Sequence, residues 1–116
     1  MKSVSDFIEK REVINRKQIA IDFANSLNHP EIEKIILFGS VARGEDNDES
    51  DIDILILTSK KCDKFKIDDD IYSKVMDVVC RKGEYIAAKI IPFEHYRKHS
   101  ENSFYTNVFN EGIVLA

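Results

Sequence analysis

Apolar positions along the chain switch between a helical and a strand period, and the switches divide it into segments. From Ser3 to Asn28 a polar background carries Phe7, Ile8, Ile14, Ile19, Ile21, Phe23, Ala24 and Leu27, with no Gly or Pro before Pro30. The later part has helical spacing, so one long helix or two short ones are predicted to end near Asn28. His29-Pro30 breaks them, because proline pushes the preceding residue out of the α region. Ile32–Phe38 is the first strand. Gly39-Ser40 turns the chain into a short helical turn at Val41–Arg43, which Gly44 stops. Glu45–Ser50 is an exposed acidic loop, and Asp51–Thr58 is the second strand. Its core, Ile54-Leu55-Ile56-Leu57, is apolar on both faces and so belongs in the middle of a sheet.

A charged connection, Ser59–Lys66, leads to a predicted helix over Asp68–Lys82. Ile71, Val75, Val78 and Val79 form its stripe, Asp68, Asp69 and Asp70 suit its positive end, and Arg81, Lys82 and Gly83 mark its stop. Tyr85–Ile91 is the third strand, ended by Pro92. Pro92–Ser100 and Asn102–Asn110 are short closing helices, and the apolar tail Gly112–Ala116 tucks against the body. Period alone also allows Val75–Val79 to be a strand that turns at Arg81–Glu84 into Tyr85–Ile91. Gly39 ends one strand and Asp51 begins the next, so both edge one site only if these strands are antiparallel neighbours. The expected class is α/β in the α+β sense: a small mixed β-sheet with helices packed on it.

Composition narrows the picture. The 116 residues suit a single domain, 1–116, with no separate substrate domain. A net charge of −4 argues against direct nucleic-acid binding through a general basic coat. No apolar run is long enough for a membrane span, and MKSVSDFIEKREV holds no signal core, so the expected location is cytoplasmic. Cys62 and Cys80 lack CxxC spacing and read as free thiols, Cys80 as a core filler.

The candidate chemistry lies between Ile35 and Thr58. Asp51 and Asp53 stand two apart at a strand start, so both side chains leave one face, with Cα atoms roughly 6.6 Å apart. Two such carboxylates can converge on one metal ion. Asp carboxylates are hard ligands suited to Mg²⁺, which uses one or two of them plus substrate phosphates. The Gly39-Ser40 turn offers backbone N–H groups and a hydroxyl to phosphate oxygens, and Arg43, a helical turn on, can add a charge-assisted contact. Together these parts describe nucleotidyl transfer assisted by Mg²⁺. The plainer reading of Arg43 is a surface ion pair to Glu45 or Asp46. His95 and His99, i and i+4, match a zinc spacing that no further ligand pattern supports.

Gly39-Ser40, ten residues, then Asp51-Ile52-Asp53 resembles the GS-x10-DxD signature of the polymerase β-like nucleotidyltransferase superfamily. Leu37-Phe38, Ala42-Arg43-Gly44 and Ser50 are also similar, and the small size resembles its minimal nucleotidyltransferases, the MntA-type antitoxins of HEPN/MNT pairs. The resemblance implies the polymerase β-like nucleotidyltransferase fold and ATP as substrate. It assigns metal binding to Asp51 and Asp53, with two Mg²⁺ ions, and nucleotide phosphates to Gly39, Ser40 and Arg43, while Ser50 caps and supports the Asp51–Asp53 strand. A third carboxylate on the next strand is usual in the family. Tyr85–Ile91 has none and carries Lys89 instead, which leaves Asp77, Glu84, Glu94 or no residue as the third ligand.

Two functions follow. In the first, the chain transfers AMP from ATP to a hydroxyl of a partner protein, which the resemblance makes a helical HEPN-type toxin. The chain has no acceptor domain, so the acceptor arrives on another polypeptide or is held at a homo-oligomer interface. In the second, the missing acid marks a nucleotide-binding module that neutralises its partner by contact.

Overall fold

The computed structural model describes residues 15–59 and 63–116. The chain runs α1 (Arg16–Ser26), β1 (Ile32–Phe38), α2 (Gly39–Arg43), β2 (Ile52–Thr58), α3 (Lys64–Lys82), β3 (Ile86–Pro92), α4 (Phe93–Lys98), α5 (Ser103–Glu111) and β4 (Ile113–Val114). Its four strands form one mixed sheet in the order β3-β2-β1-β4. β1 is antiparallel to β2 and to β4, while β2 and β3 are parallel across the α3 crossover. This is the small mixed sheet with packed helices that the sequence predicts, and β1 and β2 are the antiparallel neighbours a shared site requires.

Strand alternation sorts the core into two layers. On one face Ile35, Leu37, Ile52, Ile54, Ile56 and Ile86 meet α1 and α3 through Ala20, Phe23, Ala24, Ile67, Ile71 and Val75. On the other, Ile36, Leu55 and Leu57 pack with Val108 of α5, flanked by Phe38, Ile91, Phe93, Tyr96 and Phe104. β2 contributes to both layers, and Ile54 through Leu57 are fully buried, as an apolar central strand should be.

Several predicted boundaries move, each for a local reason. α1 begins after Asn15, whose side chain accepts from Gln18 N. The earlier positions Phe7, Ile8 and Ile14 lie outside the described residues. α3 starts a turn sooner than Asp68, because Asp63 caps it by accepting from Lys66 N. Asp68, Asp69 and Asp70 therefore lie inside the helix, and Ile67 extends the stripe of Ile71 and Val75. The same helix contains Val75–Val79, which excludes the strand alternative. Cys80 is exposed rather than a core filler, since it falls off that stripe; Cys62 lies outside the described residues. Pro92 completes β3, a position open to proline because β3 is an edge strand. The tail adds a strand: Leu115 N donates to Ile35 O at 2.7 Å and Ile35 N to Ala116 O at 3.0 Å. Among the described residues no helix is long and apolar enough to cross a membrane.

Candidate active site

The ends of β1 and β2 meet at the register pair Phe38–Asp53, which places Gly39 beside the Asp53 carboxylate. Gly39 adopts φ +77°, a left-handed conformation, and a Cβ built on it would collide with Asp53 Oδ2. Glycine is required here twice over, by the backbone conformation and by the approach of the carboxylate. The chain then enters α2, whose cap position, Phe38, supplies no side-chain acceptor. Gly44 closes the helix in the left-handed conformation, with Glu45 N donating to Ser40 O at 2.9 Å. Val41 and Ala42 anchor the turn in the core, while Gly39 and Ser40 stay half-buried at the surface.

Asp51 and Asp53 flank the fully buried Ile52. Asp51 is exposed and Asp53 half-buried. Burial raises the Asp53 carboxyl above its ordinary pKa, the Asp51 charge raises it further, and the positive charges of Lys89 and Arg43 partly offset both. A carboxylate desolvated beside a second carboxylate favours a cation between them. That electrostatic need, with two carboxylates at one strand start, makes the donor set fit a divalent ion.

The loop before Asp51 is held at two points. Ser50 Oγ accepts from Asn47 N at 2.9 Å, so Ser50 closes a turn that supports the strand start. Arg16, which is buried, donates to both carboxylate oxygens of buried Glu84 at 3.0 and 3.1 Å and to Asp46 Oδ2 at 3.0 Å. The Glu84 hydrogen bond is the main reason that the Arg16 guanidinium holds its proton more tightly than usual. This ion pair and the bond from Ile52 N to Tyr85 O, 3.0 Å, fix the acidic loop and β2 against the start of β3.

Arg43 is engaged by acids. It donates to Glu45 Oε2 at 3.1 Å and to Glu111 Oε2 at 3.0 Å, and Asp46 pairs with Arg16 instead. A pocket of about 230 Å³ opens next to it, lined in part by Phe38, Gly39, Phe104, Asn107 and Glu111. Another of about 240 Å³ lies between α1 and α3; its lining includes Asp77, but not Gly39, Ser40, Arg43, Asp51 or Asp53.

The third-acid candidates are not gathered here. Asp77 is on α3 in a 2.9 Å pair with Arg81, and Glu84 is committed to Arg16. Glu94 is on α4, within 4.0 Å of Arg97 and 3.9 Å of Lys98. Among the described residues no group of three His, Cys, Asp or Glu is placed to hold a metal. His95 hydrogen-bonds Tyr105 Oη at 2.8 Å and stacks near His99, with ring centroids 4.4 Å apart. Burial raises the Tyr105 hydroxyl pKa.

Sequence reasoning gave the turn, the aspartates and Ser50 their places, but missed the Arg16–Glu84–Asp46 clamp and Glu111. A lone arginine at a helix start and a glutamate before a strand carry no pairing signal over 68 positions.

Comparison with known proteins gives these features a lineage. The family described as "Polymerase beta, Nucleotidyltransferase" matches residues 20–116. A Methanocaldococcus jannaschii protein named "Putative protein adenylyltransferase MJ0604" is 38% identical over 105 residues, covering 88% of this chain and 99% of its own length. Two crystal structures share the fold, each covering 89% of this chain and 73% of the matched one: a toxin-antitoxin with AMP-PNP, TM-score 0.56 at 22% identity, and a mutant of the toxin-antitoxin MntA-HpeT, TM-score 0.54 at 20% identity. With its glycine turn set against an aspartate pair on the same strand ends, the chain belongs to the polymerase beta nucleotidyltransferase family.

Proposed function

We propose that this chain is a Mg²⁺-dependent protein adenylyltransferase, acting in the cytoplasm, that moves AMP from ATP to a hydroxyl group on a partner protein. The observation that carries the reading is the approach of Asp53 to Gly39. It brings the carboxylate pair and the glycine turn to neighbouring strand ends of one sheet, which supports metal and phosphate roles for them. Gly39 and Ser40 would receive phosphate oxygens, and Asp51 and Asp53 would hold Mg²⁺, which supplies charge neutralisation of the triphosphate. Arg43 would exchange its carboxylate partners for phosphate, while Ser50 and the Arg16 clamp hold the strand start. In the reaction the acceptor oxygen forms a bond to the α-phosphorus, and the bond from that phosphorus to the bridging oxygen breaks. The electron pair leaves with pyrophosphate, and the hydroxyl proton passes to solvent. Most of the rate gain in such a site is positioning and electrostatics.

We infer that the acceptor hydroxyl is carried by another polypeptide, and a HEPN-type helical toxin is the partner we propose. The relative named as a protein adenylyltransferase and the two toxin-antitoxin structures of like fold support this choice. Intact mass spectrometry of a HEPN-type protein that co-purifies with the tagged chain tests it. A gain of AMP units with MgATP, lost in the Asp51→Asn/Asp53→Asn variant, is the expected result; an unmodified partner overturns it.

The lack of a third acidic ligand among the described residues favours one other reading: a nucleotide-binding module that neutralises by contact. In that case the same double variant keeps neutralising its partner.

A further inference from the structure

We propose that Lys89 is a phosphate-binding residue of this site, and that the site works with one divalent ion because the lysine ammonium takes the place of a second. The proposal rests on the nucleotidyl-transfer reading above.

Three observations place Lys89 there. In the parallel register Asp53 lies beside Ala87 and Leu55 beside Lys89, so Lys89 leaves the face from which Asp53 projects, one pair along. The residue directly beside Asp53 is alanine, which leaves room for a long side chain to lie back toward the carboxylate. The ammonium is also held: Nζ sits 4.6 Å from the centroid of Phe104, a cation–π contact. Phe104 in turn packs edge-on against Phe38 at 5.4 Å, and Phe38 is the cross-strand partner of Asp53. One ring therefore ties Lys89 to the pair on which the site is built. Lys89 is the one charged residue in a strand reading IAAKIIP.

The charge balance points the same way. A second divalent ion needs further hard oxygen ligands, and Asp77 and Glu84 are spent elsewhere in the fold. A bound triphosphate with one divalent ion still carries excess negative charge. Lys89 from β3 and Arg43 from α2 approach it from two sides, and both fields already reach Asp53. A lysine can serve as a point charge on phosphate without demanding a fixed coordination geometry. Its proton stays in place throughout; it stabilises charge on the phosphates and takes no part in proton transfer.

The test uses the full chain with AMP-PNP. Manganese binding is followed by electron paramagnetic resonance and MgATP affinity by calorimetry. The expected result is one tightly bound Mn²⁺ per nucleotide-bound chain, with Lys89→Met weakening MgATP binding at least fivefold. Lys89→Asp should bring the count to two Mn²⁺. Lys89 is exposed, so both variants should fold, and circular dichroism checks that they do. Two Mn²⁺ per wild-type chain, or a loss below fivefold in Lys89→Met, overturns the proposal while nucleotide binding itself stands. A wild-type chain that binds no MgATP overturns the nucleotidyl-transfer reading, and this proposal with it.

Discussion

The Asp53 carboxylate occupies the space that a side chain on Gly39 would need. This is more specific than a glycine's general freedom, since it links the two halves of the motif across the sheet. Gly39→Ala should cost about 1–2 kcal/mol from the left-handed backbone alone, with the collision adding to it. A double-mutant cycle separates the terms. In an Asp53→Ala background the alanine at position 39 should cost less, leaving the backbone term, and denaturant midpoints measure the difference. Equal costs in the two backgrounds would mean that the contact has no energetic weight.

Asp53 also predicts a pH dependence. Burial and the Asp51 charge hold its carboxyl pKa above the ordinary 3.8, so the folded chain keeps this proton to a higher pH than the unfolded chain does. Between those two values the folded state binds more protons, and stability falls as pH rises through that window. Asp53→Asn removes the penalty. In EDTA its melting temperature at neutral pH should exceed the wild-type value, and the two curves should converge as pH falls below the ordinary carboxylate range. A neutral-pH melting temperature below wild type would show that the desolvation cost is absent. Added Mn²⁺ should stabilise the wild type and leave the variant much less affected.

Arg16, Glu84 and Asp46 give a third prediction, about positioning. Arg16→Ala leaves Glu84 as a buried, unpaired carboxylate, which should cost about 3 kcal/mol or more. Replacing both partners with apolar residues, Arg16→Met with Glu84→Leu, should recover most of that loss, because the desolvation penalty of both charges disappears. Chemical denaturation reads both. The recovered double variant should still bind MgATP more weakly than wild type, since the loop before Asp51 loses its tie to α1.

How much of this was legible in sequence depended on the range of the signal. Local signals worked: short apolar runs marked β1 and β2, the Gly-Ser turn and Asp51 fell at the two strand ends, and Gly44 and Gly83 stopped helices in the left-handed conformation. The start of α3 was misplaced because three consecutive aspartates outweighed one capping Asp63, although Ile67 already extended the i, i+4 stripe. The tail was expected to pack and not to pair, since a two-residue strand has no period to read. Pairings over long separations were out of reach. Lys89 was visible as a charge in an apolar strand, but its place on the face of Asp53, one pair along, needed the parallel register. Arg43 was read with two possible acidic partners, of which Glu45 is found; Glu111, 68 positions away, could not be foreseen.

That last pair carries the final prediction. Arg43 is the residue proposed to meet phosphate, yet it bridges two carboxylates that a nucleotide must displace. Their hydrogen bonds, that to Glu45 first, raise its pKa, so the cation is stabilised before any ligand arrives. Removing one competitor should favour the ligand. Glu111→Gln should tighten MgATP binding, and because exposed ion pairs are weak the gain should stay below tenfold. It should fade as ionic strength rises, since salt screens the pair that has been removed. Arg43→Ala should weaken binding and abolish the benefit of Glu111→Gln, which ties the effect to this contact rather than to general surface charge. Calorimetric titration of the two single variants and the double variant at two salt concentrations checks all of these outcomes. A gain in Glu111→Gln that survives Arg43→Ala would show that Glu111 repels the triphosphate directly instead of restraining Arg43.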